Sequence, residues 1–151
     1  MLSACAAQPT PYKPRDGNFG YNQVQLDAAT WRVEFAGNAD TPRQTVETYL
    51  LYRCAEIMLF GGFEGFIILE KEVERVVEYR TFGRHGHHLF GRSHRSRRHH
   101  GFHHYDTFSL NYYTAIATIR TYGDATTPAG LKVYRARDVI ARLGPTIRLG
   151  P

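Results

Sequence analysis

Apolar positions along this chain follow two rhythms, and the helical one anchors the reading. Val46, Tyr49, Leu50, Cys54, Ile57 and Met58 recur at helical spacing. Thr41-Pro42-Arg43-Gln44 stands before them as a capping box: a hydroxyl cap, a proline for the first helical position and a glutamine to reach back. Gly61-Gly62 supplies the stop. The pattern predicts one long central helix from Thr41 to about residue 60.

Elsewhere the period is two. Trp31, Val33 and Phe35 alternate with Arg32 and Glu34, which predicts a strand over Trp31 to Ala36, paired with one over Tyr21 to Leu26. Phe63 to Arg80 reads as a long strand. Ile67, Leu69, Val73, Val77 and Tyr79 share one parity, and Glu70, Glu72, Glu74 and Glu78 share the other. Phe108 to Tyr122 reads as a second long strand, antiparallel to it. Val133 to Leu143 then predicts a short helix with Tyr134, Ala136, Val139, Ile140 and Leu143 inward, stopped by Gly144-Pro145. The expected fold is α+β: an antiparallel four-stranded sheet with the long central helix and a short C-terminal helix packed on one face.

Composition supports one globular domain of 151 residues, with 42% apolar and 13% aromatic residues. The net charge of +5 is local. Six of the nineteen basic residues, all Arg, and all eight His fall between Arg80 and His104, with no acid among them. Thirteen basic residues then face fourteen acidic ones elsewhere, so the rest of the chain is close to neutral.

Leu2-Ser3-Ala4-Cys5 has the form of a bacterial lipobox, in which Cys5 is the lipidated residue. A basic segment and an apolar run are expected upstream of Met1. Ala6-Ala7-Gln8-Pro9-Thr10-Pro11-Tyr12-Lys13-Pro14 has the composition of a stiff, extended spacer. The domain plan is therefore lipobox and tether over 1–19, then one α+β domain over 20–151 with a His/Arg-rich insertion at 81–107. No stretch approaches the roughly twenty apolar residues of a membrane-spanning helix.

Trp31-Arg-Val-Glu-Phe-Ala-Gly-Asn38, Thr41 and Tyr49-Leu-Leu-Tyr-Arg-Cys-Ala-Glu56 resemble the signature of a family of small, functionally uncharacterised lipoproteins of Gram-negative (proteobacterial) envelopes. That family pairs a Tyr-x-Val-x-Phe-x-Gly-Asn strand with a Tyr-Leu-Leu-Tyr-Arg-x-Ala-Glu helix; here Trp31 and Cys54 stand where Tyr and Ala are more usual. The ending Val133-Tyr134 to Leu143-Gly144-Pro145 is also similar. The likeness covers roughly 2–66 and 131–147. It implies a lipid-anchored protein on the periplasmic face of the outer membrane, and it transfers no catalytic residue.

The insertion lies outside that likeness and supports three readings. His85, His87, His88, His99, His100, His103 and His104 are candidate ligands for a divalent zinc, nickel or copper ion, since neutral imidazole suits all three. Six Arg oppose a divalent cation there, and the spacing fits no closed zinc pattern. Alternatively Arg92, Arg95, Arg97 and Arg98 are candidate anion ligands, directed at anionic lipid or another envelope component. The third reading is a solvated insertion without a specific ligand. Nothing resembles a nucleic-acid-binding motif, so no specific nucleic-acid partner is expected.

Catalytic patterns are missing from the sequence. His occurs nowhere outside the insertion, and no Gly-x-Ser-x-Gly, phosphate loop or dinucleotide fingerprint is present. Cys54 lies on the apolar stripe as a buried thiol, and Arg53 with Glu56 forms an ion pair on the helix. The alternating glutamates read as a solvated strand face rather than paired catalytic carboxylates. The expectation is a non-enzymatic envelope lipoprotein with a structural or interaction role. A metal-dependent hydrolase using the loop histidines is the alternative.

Overall fold

The computed structural model describes residues 8–83, 105–122 and 130–150. Five strands and two helices run in the order β1 (Gly20–Gln25), β2 (Thr30–Ala36), α1 (Arg43–Phe60), β3 (Gly65–Gly83), β4 (Tyr105–Tyr122), β5 (Val133–Arg135) and α2 (Ala136–Leu143), with a 3₁₀ turn at Gly144–Thr146. The strands form one curled antiparallel sheet in the order β1-β2-β4-β3-β5. The chain divides into two compact units. The first is formed by residues up to Val76 and from Asn111 onward, and the second by Val77–Leu110.

The expected four-stranded sheet is thus corrected to five strands. Val133-Tyr134-Arg135 does not open the C-terminal helix; it pairs antiparallel with Gly65–Ile67. Two large or β-branched side chains favour that extended backbone, and Tyr134 stacks on Phe66 at 5.2 Å. Gly65 permits the approach, since a Cβ there would lie 2.4 Å from the Tyr134 carbonyl oxygen. Helix α2 begins only at Ala136, whose N–H donates to the Glu64 carbonyl.

The capping box is also corrected. Pro42 is the N-cap of α1 and no side chain caps the helix; its carbonyl accepts the first helical bond, from Val46. The Thr41 hydroxyl is occupied elsewhere, as described below. At the other end the glycine stop forms a Schellman turn. Phe63 N–H donates to Met58 and Gly62 N–H to Leu59, with Gly62 in the left-handed region at φ 77°.

In the first unit the core lies between the sheet and both helices. Val33 and Phe35 of β2 face Ala117 and Ala115 of β4 in register. These small alanines leave room for Tyr49, Leu50, Cys54 and Met58 of α1, all of them buried. Truncating a buried Leu50 or Phe35 to Ala costs about 3–4 kcal/mol.

The alternation expected along β3 changes phase. Phe66 and Ile68 face the core, yet so does Val73, an odd number of positions later. Lys71 reaches α1, whereas Glu70 and Glu72 line a small depression with Arg32, Ile116 and Thr118. The parity of the positions turned toward α1 therefore differs between Phe66–Ile68 and Lys71–Val73. Leu69 lies between these stretches and is 47% exposed, so it does not share a buried face with Val73.

In the second unit, the described ends of β3 and β4 are exposed. They are held by the stacked rings of Phe82 and Phe108, 5.2 Å apart, and by the hydroxyls of Thr81 and Thr107 at 3.1 Å.

Candidate functional site

Cys5, His85, His87, His88, His99, His100, His103 and His104, and Arg92, Arg95, Arg97 and Arg98, all lie outside the described residues. Among the described residues no group of three or more His, Cys, Asp or Glu is placed to hold a metal ion. The polar chemistry gathers elsewhere, around the segment that follows Cys5.

From Gln8 to Arg15 the chain is a strap packed within the first unit, where composition alone assigns a stiff, extended spacer. Thr10 and Tyr12 are 4% and 5% exposed. Asn38 and Thr41 clamp the strap's beginning. Thr41 Oγ1 accepts from the Thr10 N–H at 2.8 Å and donates to Asn38 Oδ1 at 2.6 Å. The Thr10 hydroxyl accepts from the Asn38 N–H at 2.8 Å, and Asn38 Nδ2 donates to the Gln8 carbonyl at 2.7 Å. Thr41, which reads as a helix cap, instead holds the strap, while Asn38 holds it and also accepts from the Thr41 N–H to turn the chain toward α1.

Tyr12 occupies the centre of the strap. Its ring packs among Tyr21, Phe35, Tyr49 and Tyr52, with centroids 4.9–6.4 Å away. Its hydroxyl donates to Glu56 Oε2. Arg53 Nη1 donates to the same oxygen at 2.9 Å, its Nε donates to Gln23 Oε1 at 3.2 Å, and its guanidinium lies 4.1 Å above the Tyr21 ring. Helix geometry explains the set: positions 49, 52, 53 and 56 fall three or four apart and share one face of α1.

The strap is covered from the far end of the sequence as well. Tyr12 forms a parallel bridge with Leu149, its N–H donating to the Arg148 carbonyl at 2.7 Å. The Tyr49 hydroxyl accepts from the Arg148 N–H at 3.1 Å. On the other side, Lys13 and Arg15 exchange backbone bonds with Tyr21 of β1.

Electrostatics make this network a lock rather than a proton relay. Burial, reinforced by the Glu56 carboxylate, raises the Tyr12 phenol far above its ordinary value, so it stays a neutral donor. Burial disfavours the Arg53 cation, but the Glu56 hydrogen bond together with Tyr12 and Tyr21 outweighs it and the net shift is upward. Cys54 stands beside them in sequence but is fully buried, and burial pushes its thiol up to about 12, which leaves no reactive thiolate near neutral pH.

Sequence reasoning missed Thr10 and Tyr12 because the prolines around them signal a stiff, extended spacer. The available signal was Tyr12 itself, a large aromatic that free tethers rarely need. No protein-family model, curated protein or solved structure matches the chain.

Proposed function

We propose that the protein is an envelope lipoprotein, anchored through a lipid on Cys5 to the periplasmic face of the outer membrane, with a structural or interaction role. The observation that carries this reading is the strap. Gln8 follows the lipobox cysteine by three positions and is already hydrogen-bonded to Asn38 of the folded body. Three residue steps reach at most about 11 Å. A lipid on Cys5 therefore sets the body against the bilayer with little free linker. Asn38, Thr41, Arg53 and Glu56, the polar residues of the resemblance, are engaged in holding the strap and its surroundings, a use that suits positioning rather than turnover.

Anionic lipid headgroups are the natural contact for the Arg92, Arg95, Arg97 and Arg98 segment in such a setting, at about 1 kcal/mol per basic residue near the surface. The test is Cys5→Ala expressed behind a lipoprotein leader, followed by membrane fractionation. The parent chain is expected in the outer-membrane pellet and the variant in the soluble periplasmic fraction. Identical partitioning of the two overturns the anchor.

A further inference from the structure

A groove of about 490 Å³ runs along α1 on the side away from the strap, between the helix, β3, β4 and the end of α2. Its floor is apolar, made by Leu51, Cys54, Ile68, Ala117 and Leu143. Its charged residues are Arg43, Glu47 and Lys71. Glu47 serves both cations: Arg43 Nε donates to Oε1 at 2.9 Å and Lys71 Nζ to Oε2 at 2.6 Å. Two cations thus share one carboxylate, which leaves one positive charge without a second acidic partner among the described residues. Arg43 uses Nε alone, so its terminal Nη groups have no partner among the described residues.

Helical spacing lays these parts out in line. Arg43, Glu47, Leu51 and Cys54 succeed one another along a single stripe of α1. Eleven residues of helix separate the charged end from Cys54, about 16 Å. An extended chain of tetrahedral carbons, with bonds of about 1.5 Å, covers that distance in roughly twelve to fourteen carbons. Charge at one end and an apolar trough for the remainder is the complement of a single-chain amphiphile.

We propose that this groove binds a single-chain anionic amphiphile, its tail along Leu51 and Ile68 and its headgroup between Arg43 and Lys71. The headgroup supplies the second anion that the two cations lack among the described residues, and the adjoining apolar wall strengthens the pairing. A carboxylate or a phosphate monoester satisfies the same geometry, so a fatty acid and a monoalkyl phosphate are the two sources. The proposal does not depend on the lipid anchor and is tested on the unlipidated full chain.

Isothermal titration below the critical micelle concentration, with four ligands of equal tail length, separates the possibilities. Dodecanoate and dodecyl phosphate are expected to bind saturably at one site, and the tighter of the two identifies the headgroup. Dodecyltrimethylammonium is expected to bind at least tenfold more weakly, and neutral dodecyl maltoside in between. Lys71→Glu should weaken the anions at least tenfold while leaving the maltoside within about twofold. Leu51→Gln should weaken all four. Equal affinity for anionic and cationic heads, or no saturable binding of either anion, overturns the proposal without any variant having to fold.

Discussion

Tyr12 and Glu56 are joined by a hydrogen bond across 44 positions of sequence, the strap phenol donating to a helix carboxylate that Arg53 also holds. The strap is thereby part of the core, and its contributions are separable. Tyr12→Phe keeps the ring and removes the donor, with an expected cost of about 1.5–3 kcal/mol, the range for a bond to a charged group. Tyr12→Ala also empties the aromatic pocket and should cost about 3–5 kcal/mol. Equilibrium urea unfolding of both variants checks the difference; equal losses would mean that the hydroxyl contributes nothing.

Stability should fall on the alkaline side. Burial raises Tyr12 above its ordinary 10.0 and Cys54 from 9.0 to about 12, so the folded chain keeps protons that the unfolded chain releases. Both contributions are complete below pH 9 and decline above it, first through Cys54 and beyond about pH 10 through Tyr12 as well. Each group accounts for at most about 1.4 kcal/mol per pH unit. Urea midpoints measured from about pH 8 to 11 should show the decline, and Tyr12→Phe should flatten its upper part. An unchanged slope in that variant would contradict the buried, protonated phenol.

Thr41→Val isolates the clamp. Shape is kept, but the Thr10 N–H loses its acceptor and Asn38 Oδ1 loses a donor. A buried donor left unpaired costs about 1–3 kcal/mol. Hydrogen exchange should accelerate at Thr10 and Tyr12 well before it does at Leu50 or Val33 of the core. Uniform acceleration across the domain would instead mark Thr41 as a general core residue.

Gly65→Ala probes the fifth strand. The added Cβ meets the Tyr134 carbonyl oxygen at 2.4 Å, so β3 and β5 must separate. The expected loss is about 1–3 kcal/mol, with faster exchange at the Ala136 amide that Glu64 holds. Retained protection there would show that the edge pairing tolerates the methyl group.

Legibility in the sequence tracked how local each determinant is. The body of α1 follows from its own apolar spacing and its glycine stop, both contained within a few turns. Val133-Tyr134-Arg135 read as helix because the residues after it are helical; only Gly65 and Phe66, far away, make it a strand. Likewise the phase change near Leu69 comes from the sheet's geometry, and an expectation of strict alternation runs straight through it. Thr41 carries a good capping signal, but Thr10 and Asn38 compete for the same hydroxyl and win. The strap was hidden for the opposite reason: prolines advertise a stiff, extended spacer, while Tyr12 finds its pocket only once α1, β1 and β2 exist.

The bridge between Tyr12 and Leu149 has a temporal side. A ribosome delivers Tyr12 early and Arg148 late, so the contacts with Tyr21, Asn38, Thr41 and Glu56 can form first and the Arg148–Leu149 cover is added last. Residues that leave the ribosome last thus complete a pocket whose centre was among the first to emerge.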